Sequence, residues 1–303
     1  MKSALLLALV LLTASYLAVW VRSVWRAGGR GPAGESPRPG GRHLLIGFVT
    51  NFFDTLGIGS FAPTTAAFRA RRLVPDELIP GTLNIGHTPP TIVQAVIYIT
   101  VIAVDRPTLA LLIAAAVVGA WFGAGIVSGW EKRRVQRGMA MALLVTAAFI
   151  VLRIAGIFPG GGDALGLRGV PLVAAVLGNT LLGALMTLGI GLYAPCMAMI
   201  SLLGMNPTTA FPIMMGSCAF LMPVASIRFL KARRYDRAAA IGLALGGIPG
   251  VLLAAFLVKS LPLDAVRVLV VVVIGYTAAT LWRDGRRETG PVRPPAPSVA
   301  DVG

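Results

Sequence analysis

Acidic residues are scarce in this 303-residue chain, which has 12 Asp and Glu against 27 Lys and Arg. Charged residues of both signs make up only 13% of the sequence, whereas 56% of it is hydrophobic. A soluble domain shields its core with a larger charged surface, so this composition indicates an integral membrane protein instead. The net charge of +15 does not indicate a nucleic-acid partner, because the basic residues lie between apolar runs, as in the cytoplasmic loops of membrane proteins.

Cysteine and histidine are also rare, with two residues of each. Cys196 and Cys218 both lie within apolar sequence, which argues against a structural disulfide framework. The sequence lacks HExxH and GxSxG motifs, a phosphate-binding loop, and a second intramembrane aspartate that would pair with Asp54 as a catalytic dyad. We therefore expect no enzymatic activity, no cofactor, no resident metal and no direct use of ATP.

Long apolar runs are present, and one short motif occurs in two of them, 132 residues apart. Residues 55–63 read TLGIGSFAP and residues 187–195 read TLGIGLYAP, so seven of nine positions agree. The same offset pairs Pro75 with Pro207. Paired, interrupted apolar segments of this kind are typical of the binding sites of secondary transporters.

The apolar runs are those of transmembrane helices, with two sets of four following an initial run. We predict an all-α polytopic membrane protein with two inverted four-segment repeats, broken or re-entrant first helices, and one extra N-terminal transmembrane helix. That helix is favoured over a cleaved signal peptide because no convincing small-residue cleavage site follows it. The predicted parts are the N-terminal helix (1–25), a cytoplasmic linker rich in Gly, Pro and Arg (26–42), repeat 1 (43–157), an extracytoplasmic linker (158–169), repeat 2 (170–283) and a disordered cytoplasmic tail (284–303).

The positive charges predict the topology. All basic clusters face the cytoplasm if residues 43–69 enter the membrane, break at Gly57 and Gly59, and return to the same side. Residues 170–203 would turn back from the opposite side, because few basic residues flank them. The alternative is a bent helix that crosses fully, which would misplace the basic residues at 69–72.

Glycine and proline interrupt both copies of the motif. In a helix interior glycine costs about 1 kcal/mol and proline about 3 kcal/mol relative to alanine, and the freed backbone groups cannot face lipid. Two such breaks near the membrane centre would bring together two half-helix N-termini, whose free N–H groups favour an anion. The glycines predicted to form this backbone site are Gly57, Gly59, Gly189 and Gly191.

The duplicated motif resembles the sulfite exporter TauE/SafE family of membrane permeases. The resemblance rests on residues 56–59 with Pro63 and residues 188–191 with Pro195, and it covers residues 43–283 approximately, leaving the N-terminal helix outside it. Further family-like features are Asp105, Asp236 and the glycine-rich residues 246–250. The resemblance implies outward transport of sulfite, sulfonates or related small anions. We accordingly predict a multi-pass protein of a bacterial cytoplasmic membrane.

Two titratable side chains are candidates for proton coupling. Asp54 lies inside an apolar segment, where a carboxylate is costly and is functional by default. His87 interrupts the second segment, and histidine changes its charge near neutral pH. The alternatives are a helix-bracing acid for Asp54 and a hydrogen-bonded core histidine for His87.

Smaller polar side chains near the breaks are candidates for the shell around the anion. Hydroxyl, amide and thiol groups suit a small oxyanion, although they also pack between membrane helices. The predicted shell residues are Thr64, Asn84, Cys196 and Ser217, with Asn51 and Gln94 as weaker candidates.

The second half is rich in methionine, from Met186 to Met222, which leaves a soft-metal transporter for copper as a rival function. Methionine also fills irregular apolar packing. A passive anion channel and a scaffold for another membrane complex are further alternatives. The predicted partners are a small anion and the lipid bilayer, with protons and a homodimer left open and nucleic acid excluded.

Overall fold

A computed structural model describes residues 2–26, 38–157, 160–189 and 192–257, together with 279 and 282. These residues form helices joined by short turns, and none of them belongs to a β-strand. The predicted last helix, apart from residues 279 and 282, the tail at 284–303 and most of the linker lie outside the described residues. The helices are α1 (Lys2–Arg26), α2 (Gly41–Thr55), α3 (Phe61–Ala70), α4 (Ile79–Val101), α5 (Arg106–Val127), α6 (Lys132–Ile154), α7 (Gly169–Met186), α8 (Tyr193–Leu202), α9 (Ala210–Ala232) and α10 (Arg237–Leu257), with 3₁₀ turns at Asp76–Leu78 and Pro207–Thr209.

Several helices are long and apolar enough to cross a membrane. The described part of the chain has five of them, which confirms an all-α, polytopic membrane protein. Helix α4 has 23 residues but is more polar, because Asn84, His87 and Gln94 interrupt its apolar sequence. The five spans are Ser3–Trp25, Arg106–Val127, Gly169–Met186, Pro207–Ala232 and Arg237–Phe256.

Both copies of the duplicated motif interrupt a helix, as the sequence predicts. Helix α2 ends at Thr55 and α3 begins at Phe61, while α7 ends at Met186 and α8 begins at Tyr193. The breaks contain backbone that only glycine adopts readily, because a side chain would clash at positive φ. The φ angles are +81° at Gly57, +92° at Gly59 and +99° at Gly189.

The first broken segment reverses its direction. The ring of His43, in the first turn of α2, lies 6.3 Å from the ring of Phe68, near the end of α3. A continuous helix would separate these two residues by about 37 Å at 1.5 Å per residue. The segment is therefore a re-entrant hairpin, and the fully crossing bent helix is not what the structure shows.

The second broken segment reverses as well. Met199 of α8 packs directly against Gly178 of α7. Backbone hydrogen bonds join the chain before α7 to the chain after α8, from Gly162 N to Met205 O at 3.1 Å and from Asn206 N to Ala164 O at 2.8 Å. The two ends of this segment therefore lie side by side, and α7 and α8 form a second hairpin.

Each hairpin packs against a helix of the other half. Helix α2 packs along α10, where Gly250 lies against the carbonyl oxygen of Phe48. Helix α7 packs along α5, where Gly119 lies against the carbonyl oxygen of Thr180. Phe48 and Thr180 are 132 residues apart and Gly119 and Gly250 are 131 apart, so the two contacts occupy equivalent positions.

Helices α4 and α9 cross between the two hairpins and run antiparallel to each other. The hydroxyl oxygen of Thr88 in α4 lies 3.5 Å from that of Ser226 in α9. Ile99, which comes later in α4, lies against Gly216, which comes earlier in α9. These two helices are the second segments of the two repeats. Antiparallel packing of these equivalent helices is what two inverted repeats would require.

Basic clusters lie together at one end of the bundle. Asp76, which follows α3, accepts a hydrogen bond from Gln136 in α6 at 2.8 Å and pairs with Arg69 at 2.5 Å. Arg234, after α9, donates to the carbonyl oxygen of Trp130, just before α6. The basic residues at 69–72, 132–137 and 228–237 are therefore neighbours, as the topology prediction requires.

An aspartate precedes each of α5 and α10, the third apolar segments of the two halves, as the sequence suggests. Asp105 precedes α5 and accepts a hydrogen bond from Thr108 N at 3.0 Å, and Asp236 precedes α10 and accepts one from Ala239 N at 2.7 Å. The Thr108 hydrogen bonds, with the nearby Arg168 guanidinium, hold the pKa of Asp105 below its ordinary value. Both carboxylates are therefore N-caps, which accounts for their positions structurally.

Candidate functional site

The two helix breaks meet at one small cavity, lined by residues of both halves. Its volume, measured as the space open to the centre of a water molecule, is about 10 Å³, which is room for roughly one water. In this conformation the cavity is too small for a sulfite ion. Its lining comes from both halves and comprises Asp54, Gly59, Ser60, Phe61, Thr91, Met186, Leu192, Tyr193 and Met222.

Two half-helix N-termini face this cavity. Ser60 and Leu192, the residues that precede α3 and α8, both line it. Neither N-terminus has a hydrogen bond from a capping side chain, and the first turn of a helix leaves its N–H groups without an intrahelical acceptor. The helix dipoles add positive potential at the same point. Both helix N-termini therefore present positive potential and unpaired N–H groups to the same cavity.

Asp54 lies at the end of α2 and is hydrogen-bonded to both halves of the protein. Its Oδ2 accepts from Gln94 Nε2 at 2.9 Å and from the Tyr193 hydroxyl at 3.1 Å. Tyr193 also lies 3.3 Å from Gln94 Oε1, and Gln94 Nε2 lies 3.0 Å from Thr55 Oγ1. The side chains of α2, α4 and α8 thus form one buried hydrogen-bond network beside the cavity.

His87 holds the first hairpin together rather than facing the cavity. Its Nδ1 lies 3.0 Å from the amide of Asn51 in α2, and its Nε2 lies 3.0 Å from the Thr64 hydroxyl in α3. The Phe61 ring packs beside the imidazole at 5.7 Å between centroids. Both ring nitrogens therefore have partners, one in each arm of the hairpin, and His87 is fully buried.

The comparisons with known proteins identify the family. The family described as Sulfite exporter TauE/SafE matches residues 2–150 and 171–302. The chain belongs to the TauE/SafE family. No curated protein and no solved structure matches it.

Membership of the TauE/SafE family makes this protein a multi-pass membrane transporter of the sulfite exporter class. The match begins at residue 2, so it includes α1. The expectation that the N-terminal helix lies outside the family resemblance was therefore wrong. The same match extends over both hairpins and over the third segments that pack against them.

In the described part of this TauE/SafE protein, the four predicted shell residues are not among those that line the cavity. Thr64 contacts His87, and Asn84 donates to Pro80 O within its own helix at 2.8 Å. Ser217 accepts from Asn179 Nδ2 at 3.0 Å, while Cys196 is a buried free thiol. These side chains support the helices around the cavity in this conformation.

The predicted glycines lie in the breaks, with one exception. Gly59 lines the cavity, and Gly57 and Gly189 form the turns beside it. Gly191 lies outside the described residues.

Other lining residues were not anticipated from the sequence. The clearest is Tyr193, whose hydroxyl bonds to Asp54 and which stands where the first copy of the motif has Phe61. Ser60, paired with Leu192, is the other position at which the two copies differ. The two mismatches in an otherwise repeated motif were the signal that could have found both residues, because each places a hydroxyl at the cavity in one half only.

Sulfur atoms form the remaining side of the cavity. Met186 and Met222 line it, and Cys218 Sγ lies 3.5 Å from Met186 Sδ. Within the described residues, no three His, Cys, Asp or Glu side chains come together in a group that could hold a metal ion. A soft metal would therefore depend on thioether ligands and one thiol.

Proposed function

We propose that this TauE/SafE protein is a secondary transporter that exports sulfite or a related organosulfonate across a bacterial cytoplasmic membrane. The observation that supports it most directly is the convergence of the α3 and α8 N-termini, one from each half, on a single buried cavity. A small oxyanion suits this arrangement because backbone N–H groups and two helix dipoles face the same point.

The anion would bind between the two hairpins. Its oxygens would accept hydrogen bonds from the first-turn N–H groups of α3 and α8 and from Ser60, Gln94 and Tyr193. The glycines at the breaks let the backbone turn sharply enough to present these groups. Thr64, Asn84, Cys196 and Ser217 would hold the surrounding helices in place and approach the anion in a more open conformation.

Alternating access would come from the two halves moving against each other. The equivalent contacts of α2 with α10 and α7 with α5, and the antiparallel pair α4 and α9, support two inverted repeats around the cavity. The basic end would face the cytoplasm. The small cavity volume corresponds to a closed conformation between the inward-open and outward-open states.

Sulfite uptake into proteoliposomes tests this proposal. The purified full-length protein should give saturable uptake of [³⁵S]sulfite, and Gly59→Val and Gly189→Val should each reduce the initial rate at least tenfold. Both glycines have open space around them but positive φ angles, so valine would strain the backbone rather than collide.

Gly160→Val is the matched control, because Gly160 also has open space and lies in the chain before α7. It should transport at the wild-type rate. Equal rates for all three variants, or no saturable sulfite uptake by the wild type, would contradict the proposal.

The sulfur side chains favour one second candidate. Met186, Met222 and Cys218 are close enough to suggest a Cu(I) path through the same cavity. The same liposomes, loaded with a Cu(I) chelator, distinguish the two functions: copper entry without sulfite entry supports the metal, and sulfite entry without copper entry supports the anion.

A further inference from the structure

The Asp54 carboxylate lies where a substrate anion would have to lie. The carboxylate borders the cavity. One of its oxygen atoms, Oδ2, accepts hydrogen bonds from both the Gln94 amide and the Tyr193 hydroxyl. These donors come from different halves of the protein. The protein's own carboxylate therefore joins the two halves across the site.

We propose that Asp54 is an internal competitor of the substrate anion, which releases its donors only when it takes up a proton. This inference rests on the proposed function, because it concerns the same cavity. In the empty transporter the ionised carboxylate holds Gln94 and Tyr193 and keeps the site closed. When a proton from the aqueous phase binds to the carboxylate, the amide and the hydroxyl turn to the incoming anion.

Electrostatic repulsion prevents the ionised Asp54 carboxylate and the substrate anion from occupying the site together. Asp54 is only 2% exposed, and two negative charges a few ångströms apart in a protein interior repel each other by several kcal/mol. A nearby fixed cation would relieve this repulsion. The described helices that surround Asp54 carry their arginines and lysines toward the basic end of the bundle, away from the cavity.

Titratable side chains occur on most of the helices that pack around Asp54. Helix α4 carries one base, His87, whose ring nitrogens bond to Asn51 and Thr64. Helix α7 contributes none. The groups on the packed helices are His87 and Tyr98 on α4, Tyr193 and Cys196 on α8, Cys218, Arg228 and Lys231 on α9, Arg69 on α3 and Arg237 on α10.

Proton and anion then move together in the same direction. On the far side the anion leaves, the carboxyl group loses its proton to water, and the carboxylate recovers its hydrogen bonds to Gln94 and Tyr193. A monovalent sulfonate is transported without net charge. A sulfite dianion carries one negative charge outward, which a membrane potential that is negative inside would favour.

The test compares wild type with Asp54→Asn in liposomes that contain a pH-sensitive dye. Methanesulfonate and [³⁵S]sulfite serve as the probes; the charge of methanesulfonate does not change near neutral pH. For the wild type we expect one proton per anion and an apparent affinity that falls about tenfold per pH unit above the range in which the carboxyl group titrates. Asp54→Asn should still move the anion, without protons and with less than a twofold change per pH unit.

Asp105→Asn is the matched control, since it removes the same charge from an N-cap outside the cavity and should keep the coupling. Proton movement that persists in Asp54→Asn would overturn the inference, as would a folded Asp54→Asn protein that moves no anion. No anion flux in the wild type would instead refute the proposed function, so the two failures are distinguishable.

Tyr193→Phe provides a second test if Asp54→Asn does not fold. It removes one shared donor and introduces the residue that the first copy of the motif has at this place. We expect at least a tenfold weaker apparent affinity for the anion, with one proton still moved per anion. An unchanged affinity would overturn the inference.

Discussion

At the scale of single residues, the two titratable candidates have different roles. Asp54 lines the cavity and bonds to Gln94 and Tyr193. His87 does not line the cavity, and its two ring nitrogens are hydrogen-bonded to Asn51 and Thr64, one in each arm of the first hairpin. The position of Asp54 favours proton coupling, whereas that of His87 favours a structural role.

His87→Ala is predicted to lower stability while leaving the pH dependence of transport intact. Removing the imidazole leaves the buried side chains of Asn51 and Thr64 without this partner, and each lost partner costs about 1–3 kcal/mol. Thermal unfolding in detergent should therefore occur at a lower temperature. Thr64→Val, which removes only one of the two bonds, should have a smaller effect. A His87→Ala protein with wild-type stability and a flattened pH profile of sulfite uptake would contradict this account.

The sequence was sufficient to single out Asp54 as a candidate but not to predict its partners. A carboxylate in an apolar run is conspicuous by itself, because its burial is costly wherever the chain folds. Its hydrogen bonds join three helices that are far apart in the sequence, and only tertiary packing brings Gln94 and Tyr193 together. For the same reason Thr64 and Ser217 were predicted near the breaks, but their bonds to His87 and Asn179 were not.

At the scale of helices, close packing depends on small residues. A methyl group at Gly119 would collide with the carbonyl oxygen of Thr180, and one at Gly250 would collide with that of Phe48. Side chains larger than hydrogen would push α5 from α7 and α10 from α2. These two glycines therefore set the distance between each hairpin and the helix of the other half.

Gly119→Ala is predicted to destabilise the protein, by about 1–3 kcal/mol or more, because overpacking forces the two backbones apart. Gly125→Ala on the same helix is its control, since the nearest atom to an added methyl group there is 3.7 Å away. Thermal unfolding and the yield of monodisperse protein in detergent would show the difference. Equal stability of the two variants would mean that α5 and α7 are further apart than in this structure.

The N-terminal helix also has a specific contact with the core. Pro89 has no N–H group, so the carbonyl oxygen of Ile85 one turn earlier lacks its usual helical donor. The hydroxyl of Tyr16 in α1 donates to that oxygen at 2.9 Å. Helix α1 thus supplies a hydrogen bond to a buried carbonyl oxygen that Pro89 leaves without its helical donor.

Tyr16→Phe is predicted to cost about 1–3 kcal/mol, because it leaves the Ile85 carbonyl oxygen unsatisfied in an apolar interior. The measurement is thermal unfolding in detergent. Thr13→Val on the same helix is a suitable control, because Thr13 bonds only to Leu9 O of α1 itself. If Tyr16→Phe proves no less stable than Thr13→Val, α1 does not have this role.

Helix breaks were easier to predict than helix ends. The repeated Gly and Pro residues disfavour helix in any context, so both hairpins could be anticipated. Helix α6 begins at Lys132, within a basic cluster that separates two apolar runs. Its basic residues end an apolar run, but Lys and Arg are good helix formers, and the helix therefore starts among them.

At the scale of the whole molecule, two inverted repeats would give the two hairpins opposite orientations. The first enters from the basic end and the second from the end that contains Asp105 and Arg168, which pair at 3.1 Å. An inverted arrangement would place these two ends on opposite sides of the membrane.

Single-cysteine labelling in intact bacterial cells tests this topology. Arg71→Cys and Gly160→Cys introduce thiols at exposed positions at the two ends, while native Cys196 and Cys218 are buried. A membrane-impermeant maleimide should label Gly160→Cys from outside and Arg71→Cys only after permeabilisation. Labelling of both positions from the same side would rule out the inverted arrangement.

The central claim is that a small anion binds at the meeting point of the two hairpins and is carried across by a conformational change. Sulfite counterflow tests it most directly, because only a carrier couples the movement of an unlabelled ion to that of a labelled one. Proteoliposomes loaded with unlabelled sulfite and diluted into trace [³⁵S]sulfite should accumulate the label transiently above its external concentration. Simple equilibration without an overshoot would identify a channel, and no entry of label at all would contradict the account.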